Sequence, residues 1–367
     1  MKIRCLTVMS MLLALSTTGY ADFTYQETTQ ITGGSMLGMM KMAGIFSKAA
    51  KQAGDPIVST VMVKGNRMTR ISKDHTEIID LDKGTVTQVD HLKKQYTVMT
   101  FEQMRQQMDA AMAKAKEQQQ KAGQQPASSE AQNVDMKFNV HVRNTGAVKD
   151  VAGLSASESI LTMTLDATDK TSGQQGAMAI TNDMWLAPEI PGYDEVREFY
   201  KRYAAKMGTV FSGAINSSMM AMRPGMSQGM ADMVKEMSKL KGIPVLQVTR
   251  MGTTMNGVPL PAASEAPLPP QPDGPVMPSA GDVAQQSAAA AISSRLGALG
   301  GFGGFGRKKK ADAPTNGAPA AGGADAATVA VLVESDTQLA SFSKAPVDPA
   351  QFEVPVGYKK TESKVAE

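Results

Sequence analysis

The sequence predicts an α+β protein in which a curved antiparallel sheet or half-barrel is covered by methionine-rich helices and interrupted by long disordered inserts. Three observations predict this fold class. Short runs rich in Val, Ile and Thr alternate with turn residues, as in consecutive hairpins. Methionines recur at three- and four-residue spacing elsewhere, which indicates helices. Stretches rich in Pro, Ala and Gly separate these segments and cannot bury a core.

The strand-like runs begin with FTYQETTQIT and continue as a meander through residues 57–100. Gly65, Asp74 and Gly84 lie in its turns, and a parallel arrangement would need far longer connections. Further strands are predicted at MKFNVHVRN, ASESILTMTL, AMAITNDMWLAP, IPVLQVTRM, TVAVLVESDTQLASFS and FEVPVGYKK. Since the last strands must pair with distant ones, we predict one sheet domain over 22–256 and 328–361, with a low-complexity insert at 257–327.

The helical segments carry many of the 28 methionines. The first is SMLGMMKMAG together with the following IFSKAAKQAG, and Gly54, Asp55 and Pro56 end it. The second begins at Phe101 with methionines four residues apart. A third begins near Tyr193 and places Phe199 on its apolar face. The segment Thr209–Gly242 follows with a further methionine stripe, and Pro224 predicts a kink or a break within it.

The start of the chain, MKIRCLTVMSMLLALSTTGYA, predicts a secretory signal peptide over 1–21. Lys2 and Arg4 precede an apolar run that is too short to span a bilayer, and cleavage is expected after Ala21. We therefore predict a periplasmic or cell-envelope location. The single cysteine, Cys5, lies in the signal, so the mature chain is expected to lack disulfides and thiolate sites. The formal charge of +3 gives no long-range field for nucleic acid.

No catalytic motif is present, and we predict that the protein is not an enzyme and uses no cofactor. GxSxG, HExxH and phosphate-binding glycine loops are all missing from the sequence. The three histidines are scattered without ligand spacing, so no metal site is predicted from them. Clustered thioethers can hold Cu(I), and a minor hypothesis is copper handling by the first methionine cluster, Met36, Met39, Met40 and Met42.

The methionine stripes have two further interpretations. Methionine fills irregular gaps in cores, which is the usual role of a helical apolar stripe, and it also forms pliable surfaces for lipid chains or apolar partners. The leading hypothesis is a non-enzymatic protein that binds a hydrophobic ligand or an apolar partner segment under a helical lid. Its predicted lining is Met39, Met40, Met108, Phe199, Met219, Met226 and Met230.

A second hypothesis is a structural or interaction protein with a filled core that acts through its inserts. The insert contains GGFGGFGRKKK, whose cations could contact anionic lipid head groups at a membrane surface. The four cations of this predicted peripheral contact are Arg307, Lys308, Lys309 and Lys310. Trp185, the single tryptophan, is predicted to anchor the sheet against the helix that follows it.

Two blocks of the sequence resemble a group of exported bacterial proteins of unknown function. They are GNRMTRI with DLDKGTVTQVDHLKKQYTVMTFEQM, and the terminal VESDTQLASFSKAPVDPAQFEVPVGYKK. That group is similar in architecture to the periplasmic lipoprotein carrier family, a half-open antiparallel barrel that is covered by helices and shelters acyl chains. The resemblance covers the strand-like half of the chain. It implies an envelope location and a curved sheet, and it carries over no ligand-binding residue.

Overall fold

The computed structural model describes residues 22–43, 54–122, 134–170, 175–221, 232–255, 257–268 and 329–362; within some helical stretches it describes the backbone alone. The predicted signal peptide lies outside these residues. So do Met226, Met230 and the predicted membrane-contacting cations at 307–310.

Twelve strands form one open sheet, which confirms the predicted antiparallel architecture. Its order is β12-β6-β5-β4-β3-β2-β1-β11-β10-β9-β8-β7, and β12 is the one described strand that pairs in parallel, with β6. The strands are β1 (Phe23–Gly33), β2 (Ile57–Lys64), β3 (Arg67–Ser72), β4 (His75–Asp80), β5 (Thr85–Asp90), β6 (Gln95–Thr100), β7 (Val134–Val151), β8 (Leu154–Asp169), β9 (Gln175–Ala187), β10 (Ile243–Met255), β11 (Val329–Ser343) and β12 (Lys359–Lys360).

The sheet consists of two meanders that are joined by the last long strand. Strands β1 to β6 are neighbours in chain order, and so are β7 to β11. Strand β11 pairs with β10 on one side and with β1 on the other. Glycines with positive φ, Gly65 at 56° and Gly84 at 63°, allow tight turns in the first meander. The predicted pairing of a closing strand with distant strands is thus correct.

Within the described residues, four α-helices lie between the strands: α1 (Ser35–Ala43), α2 (Phe101–Ala122), α3 (Asp194–Ala221) and the short α4 (232–237). A reciprocal cap fixes the start of α2, because Gln103 N–H donates to Thr100 Oγ1 and Thr100 N–H donates to Gln103 Oε1. Asp194 and Glu195 occupy the first turn of α3, where their negative charges interact favourably with the positive end of the helix dipole. No helix within the described ranges is both long and apolar enough to cross a membrane.

The largest buried cluster joins the helices to the sheet. Val196 and Phe199 of α3 and Phe101 of α2 pack with strand residues that include Phe23 and Val63. Trp185 of β9 belongs to the same cluster, as does Ile190 in the connection to α3. Burial of such aliphatic and aromatic side chains supplies most of the stability of a domain that has no disulfide.

Residues that are directly opposed on neighbouring strands share one face of a sheet. Thr29, Thr337, Gln247 and Met184 are opposed in succession across β1, β11, β10 and β9. We call their side the inner face. It also bears Phe23, which contacts Tyr193 just before α3 edge-on. Along the row through Thr29 and Met184 the inner face continues into the second meander, whereas Trp185 of the helix-covered core lies on the opposite face of β9.

Two segments cover parts of the opposite, outer face. Residues 257–268, here called the strap, bury Leu260 and Ala262. The C-terminal segment, 344–362, buries Val347 and Phe352, which pack with Ile78 of β4. The strap is the first part of the predicted low-complexity insert, and the structure packs it against the sheet. The rest of that insert lies outside the described residues.

Candidate ligand-binding face

An apolar patch occupies the inner face of β7 to β11. Val140, Met163, Ile180, Met251 and Val333 are opposed in succession across these five strands. The rows on either side add further apolar residues on the same face. We define the apolar patch as the five residues above together with Phe138, Val142, Leu161, Leu165, Met178 and Met184.

The patch is only partly covered. Val142, Leu161 and Met184 are buried, whereas Phe138 and its neighbours in the outer rows are half-buried. Met178 is 40% exposed. Water-exposed apolar area costs roughly 25 cal/mol per Å², so a patch of this kind favours a partner that removes it from water.

Residues 232–240 cover one end of the patch. Met233 and Leu240 pack on the cluster formed by Val142, Leu161 and Met184. Glu236 accepts a hydrogen bond of 2.8 Å from the backbone N–H of Val142. That bond satisfies a donor on β7, which is the last strand of the sheet. Hydrogen bonds from Lys239 and from Val142 N–H lower the pKa of Glu236, so the carboxylate that holds this edge stays charged at neutral pH.

A row of polar side chains borders the patch on the inner face. Thr29 and Thr337 are hydrogen-bonded through their hydroxyls at 3.2 Å. Asn182 donates to Gln247 at 3.1 Å, and Ser159 donates to Asn144 at 2.7 Å. We call this row the polar belt. Because its members bond to one another, it crosses the inner face with few unsatisfied groups.

The predicted lining residues whose side chains the structure describes do not come together in one place. Phe199 is fully buried in the main core, so it fills space beneath α3. Met108, on α2, lines a groove of about 1230 Å³ beside β6 with Met104. Met39 and Met40 lie on α1, which packs against β1 and β11, and Met39 is 45% exposed. The backbone of Met219 is in α3, but its side chain lies outside the described part, as do Met226 and Met230.

The methionines that lie on strands were not among the predicted lining residues. Met163, Met178, Met184 and Met251 are all in the apolar patch. Their signal was present in LTMTL and AMAITNDMW, where methionine alternates with other side chains at the spacing of one strand face. The prediction chose methionines at helical spacing instead.

The described residues contain no group of three or more His, Cys, Asp or Glu side chains placed to hold a metal ion. His91 has a structural role, since Nδ1 lies 2.9 Å from the hydroxyl of Tyr358 and Nε2 lies 2.8 Å from Thr76 Oγ1. In the first methionine cluster, the side chain of Met42 lies outside the described residues, and copper handling stays a prediction.

Comparisons of the sequence with protein-family models and with curated proteins give no match.

Proposed function

We propose that the protein is a non-enzymatic envelope protein that holds a hydrophobic ligand, or an apolar segment of a partner, against the apolar patch. The observation that carries the proposal is the partly exposed patch on the inner face of an open sheet. Apolar burial needs no specific polar partner, so this surface suits an acyl chain or a similar flexible group.

The character of the patch supports a flexible ligand. Four of its side chains are methionines, which adapt to ligands of different shape because they are unbranched and polarizable. In the proposed arrangement the sheet is a half-barrel, and the helix that carries Met233 forms part of its lid. The signal peptide predicted at 1–21, together with the resemblance to exported proteins, supports the envelope location.

The test uses residues 22–367 and a fluorescent fatty acid as the probe. Changing Met163 and Met178 together to Gln should weaken probe binding about tenfold, because each substitution places a polar amide in the patch. Met36 is 41% exposed on α1, outside the patch, and Met36→Gln is the matched control. Equal probe affinity in the double variant and the control would refute the proposed site, and lack of probe binding by the wild type would refute the function.

The second candidate is an interaction protein that acts through its insert. One observation favours it: the strap fixes the start of the insert to the sheet, with Ser264 N–H donating to Asp183 at 2.6 Å. Deletion of residues 269–327 leaves the strap in place and separates the two functions. If the patch is the binding site, the deletion variant still binds the probe. If the insert binds a partner, the deletion variant no longer captures that partner.

A further inference from the structure

Strand β7 has a free edge. It is the last strand of the sheet and pairs on one side only, with β8. The backbone N–H of Val142 points away from β8, since it donates to Glu236. Residues at alternate positions of an antiparallel strand direct their N–H and C=O groups to the same side. Because the register with β8 is unbroken over 134–144, Met136, Phe138 and Val140 also direct their backbone groups away from β8.

These outward backbone groups at 136, 138 and 140 have no hydrogen-bond partner within the described part of the chain. Further along β7 the edge is closed, because Glu236 occupies the N–H of Val142 and the register shifts between Asn144 and Val148. Edge strands are commonly protected by proline, bulges or inward charges. The stretch 136–140 has none of these, and its inner-face side chains are apolar. Such an edge favours pairing with another strand.

The inner face of β7 is complementary to itself in an antiparallel pair. When Phe138 opposes Phe138 of a second copy, Met136 of each copy opposes Val140 of the other. All three outward residues of both copies then find backbone partners. The opposed side chains are all apolar, and aromatic and aliphatic cross-strand pairs stabilise a sheet.

The outer face of β7 is compatible with the same register. Lys137 opposes Asn139 of the second copy, and Asp135 opposes His141. Like charges directly opposite each other destabilise a strand pair, and none meet here. The register centred on Phe138 therefore satisfies both faces of the strand.

Neighbouring registers fit less well. A pair centred on residue 137 opposes Lys137 to its own copy, and like charges meet. A pair centred on residue 139 requires the N–H of Val142, which Glu236 already occupies. A pair centred on Met136 sets opposite charges against each other but leaves the outward groups of Val140 without a partner in β7.

We propose that two copies of the protein associate through β7, in an antiparallel pair centred on Phe138. Each opposed pair of outward residues exchanges two hydrogen bonds. Because directly opposed residues share one face of a sheet, the apolar patch of one copy continues into the apolar patch of the other. The association involves no ligand, and so its test is independent of the test of the proposed function.

Sedimentation equilibrium of residues 22–367 measures the association, and a reversible dimer is expected. Met136→Pro removes an N–H that points away from β8, so the hydrogen bonds between β7 and β8 remain. This change should raise the dimer dissociation constant about tenfold or more, because each dimer loses two hydrogen bonds. Met136→Ala, which keeps the N–H, is the matched control and should weaken the dimer less. A wild-type protein that stays monomeric, or equal weakening by both folded variants, overturns the proposal.

Cysteine cross-linking tests the register directly. Residues 22–367 contain no cysteine, because the single one is Cys5. Phe138→Cys sets two thiols on directly opposed residues, whose Cα atoms are about 5.5 Å apart in such a pair, within the range of a disulfide. Mild oxidation should therefore give a covalent dimer. Met136→Cys should give none, because its two copies lie several residues apart along the strands. Cross-linking through 136 instead of 138, or through neither, contradicts the proposed register.

Discussion

Arg250 and Glu334 form a buried ion pair that links β10 to β11 on the outer face. The guanidinium Nε and Nη2 lie 2.9 and 2.5 Å from Glu334 Oε2, and Arg250 is only 1% exposed. Nη1 donates to the carbonyls of Pro261 and Ala262 at 3.0 and 3.3 Å. One arginine therefore holds two adjacent strands and the strap together.

Removing this arginine should strongly destabilise the fold. Arg250→Met leaves the carboxylate of Glu334 buried without its cation, which typically costs about 3–5 kcal/mol. Urea unfolding monitored by far-UV circular dichroism measures the loss. The double variant Arg250→Met/Glu334→Leu should recover most of it, because no unpaired charge remains. A double variant no more stable than the single one would show that the strap contacts dominate.

The strap also makes folding stability depend on pH through Asp183. Burial raises the pKa of Asp183 above 3.8, and the hydrogen bond from Ser264 N–H only partly opposes this. The folded chain then holds the proton more tightly than the unfolded chain. This tighter proton binding stabilises the folded chain. The stabilisation is fully present below the pKa of the unfolded state and is lost as the pH rises through the pKa of the folded state. Two charges also act on Asp183: Glu158 raises its pKa further, and Arg250 lowers it.

Asp183→Asn tests this sign. The variant keeps an oxygen that can accept from Ser264 but cannot ionise. Relative to wild type, the variant should therefore be more stable at pH 7 than at pH 3. Urea titrations at a series of pH values measure this difference in the free energy of unfolding. Asp150→Asn, at an exposed position near the end of β7, serves as the control. A difference that is constant with pH would exclude the raised pKa.

Phe199 and Met39 were predicted to share one lining, and mutation should separate them. Phe199→Ala leaves a cavity in the main core and should lower the free energy of unfolding by about 3–5 kcal/mol. Met39→Ala, at a position of α1 that is 45% exposed, should change it by much less, about 1 kcal/mol or below. Urea denaturation of both variants measures the two effects. Similar losses would mean that α1 is held as tightly as α3.

The sequence predicted the hairpins well because each is a local structure. The turn at Gly84 and the alternation in TVTQVD depend on a few neighbouring residues. The apolar patch depends instead on the register of five strands, some far apart in the chain. A bulge between Pro244 and Leu246 also breaks the simple alternation along β10. Local periodicity does not report the register between distant strands. For this reason the strand methionines were not predicted to share one face.

The strap shows a second limit. Its composition, VPLPAASEAPL, is that of a disordered insert, yet it is held by hydrogen bonds from Arg250 and to Asp183. Those partners lie on β9 and β10, and their polar side chains gave no sign in the sequence that they would receive a loop. Low apolar content predicts disorder only where no buried polar partner is available.

The last prediction concerns the C-terminal segment. The Tyr358 hydroxyl lies 2.9 Å from His91 Nδ1, and the two rings pack edge-on at 5.7 Å. Tyr358→Phe keeps the ring contact but removes the hydroxyl, which should cost about 1 kcal/mol and leave a half-buried nitrogen unsatisfied. Because β12 holds β6 through only Lys359 and Lys360, the loss should loosen this edge selectively.

Hydrogen exchange is the measurement, since it resolves local opening from global unfolding. In Tyr358→Phe, the amides of Lys359 and Thr361, which donate to the carbonyls of Lys94 and Tyr96, should exchange several-fold faster. Amides of β1 and β11 should keep their protection because those strands are paired on both sides. Leu92→Ala, at an exposed turn beside His91, is the control. Unchanged exchange at 359 and 361 would show that packing of Phe352, rather than the tyrosine hydroxyl, holds the segment in place.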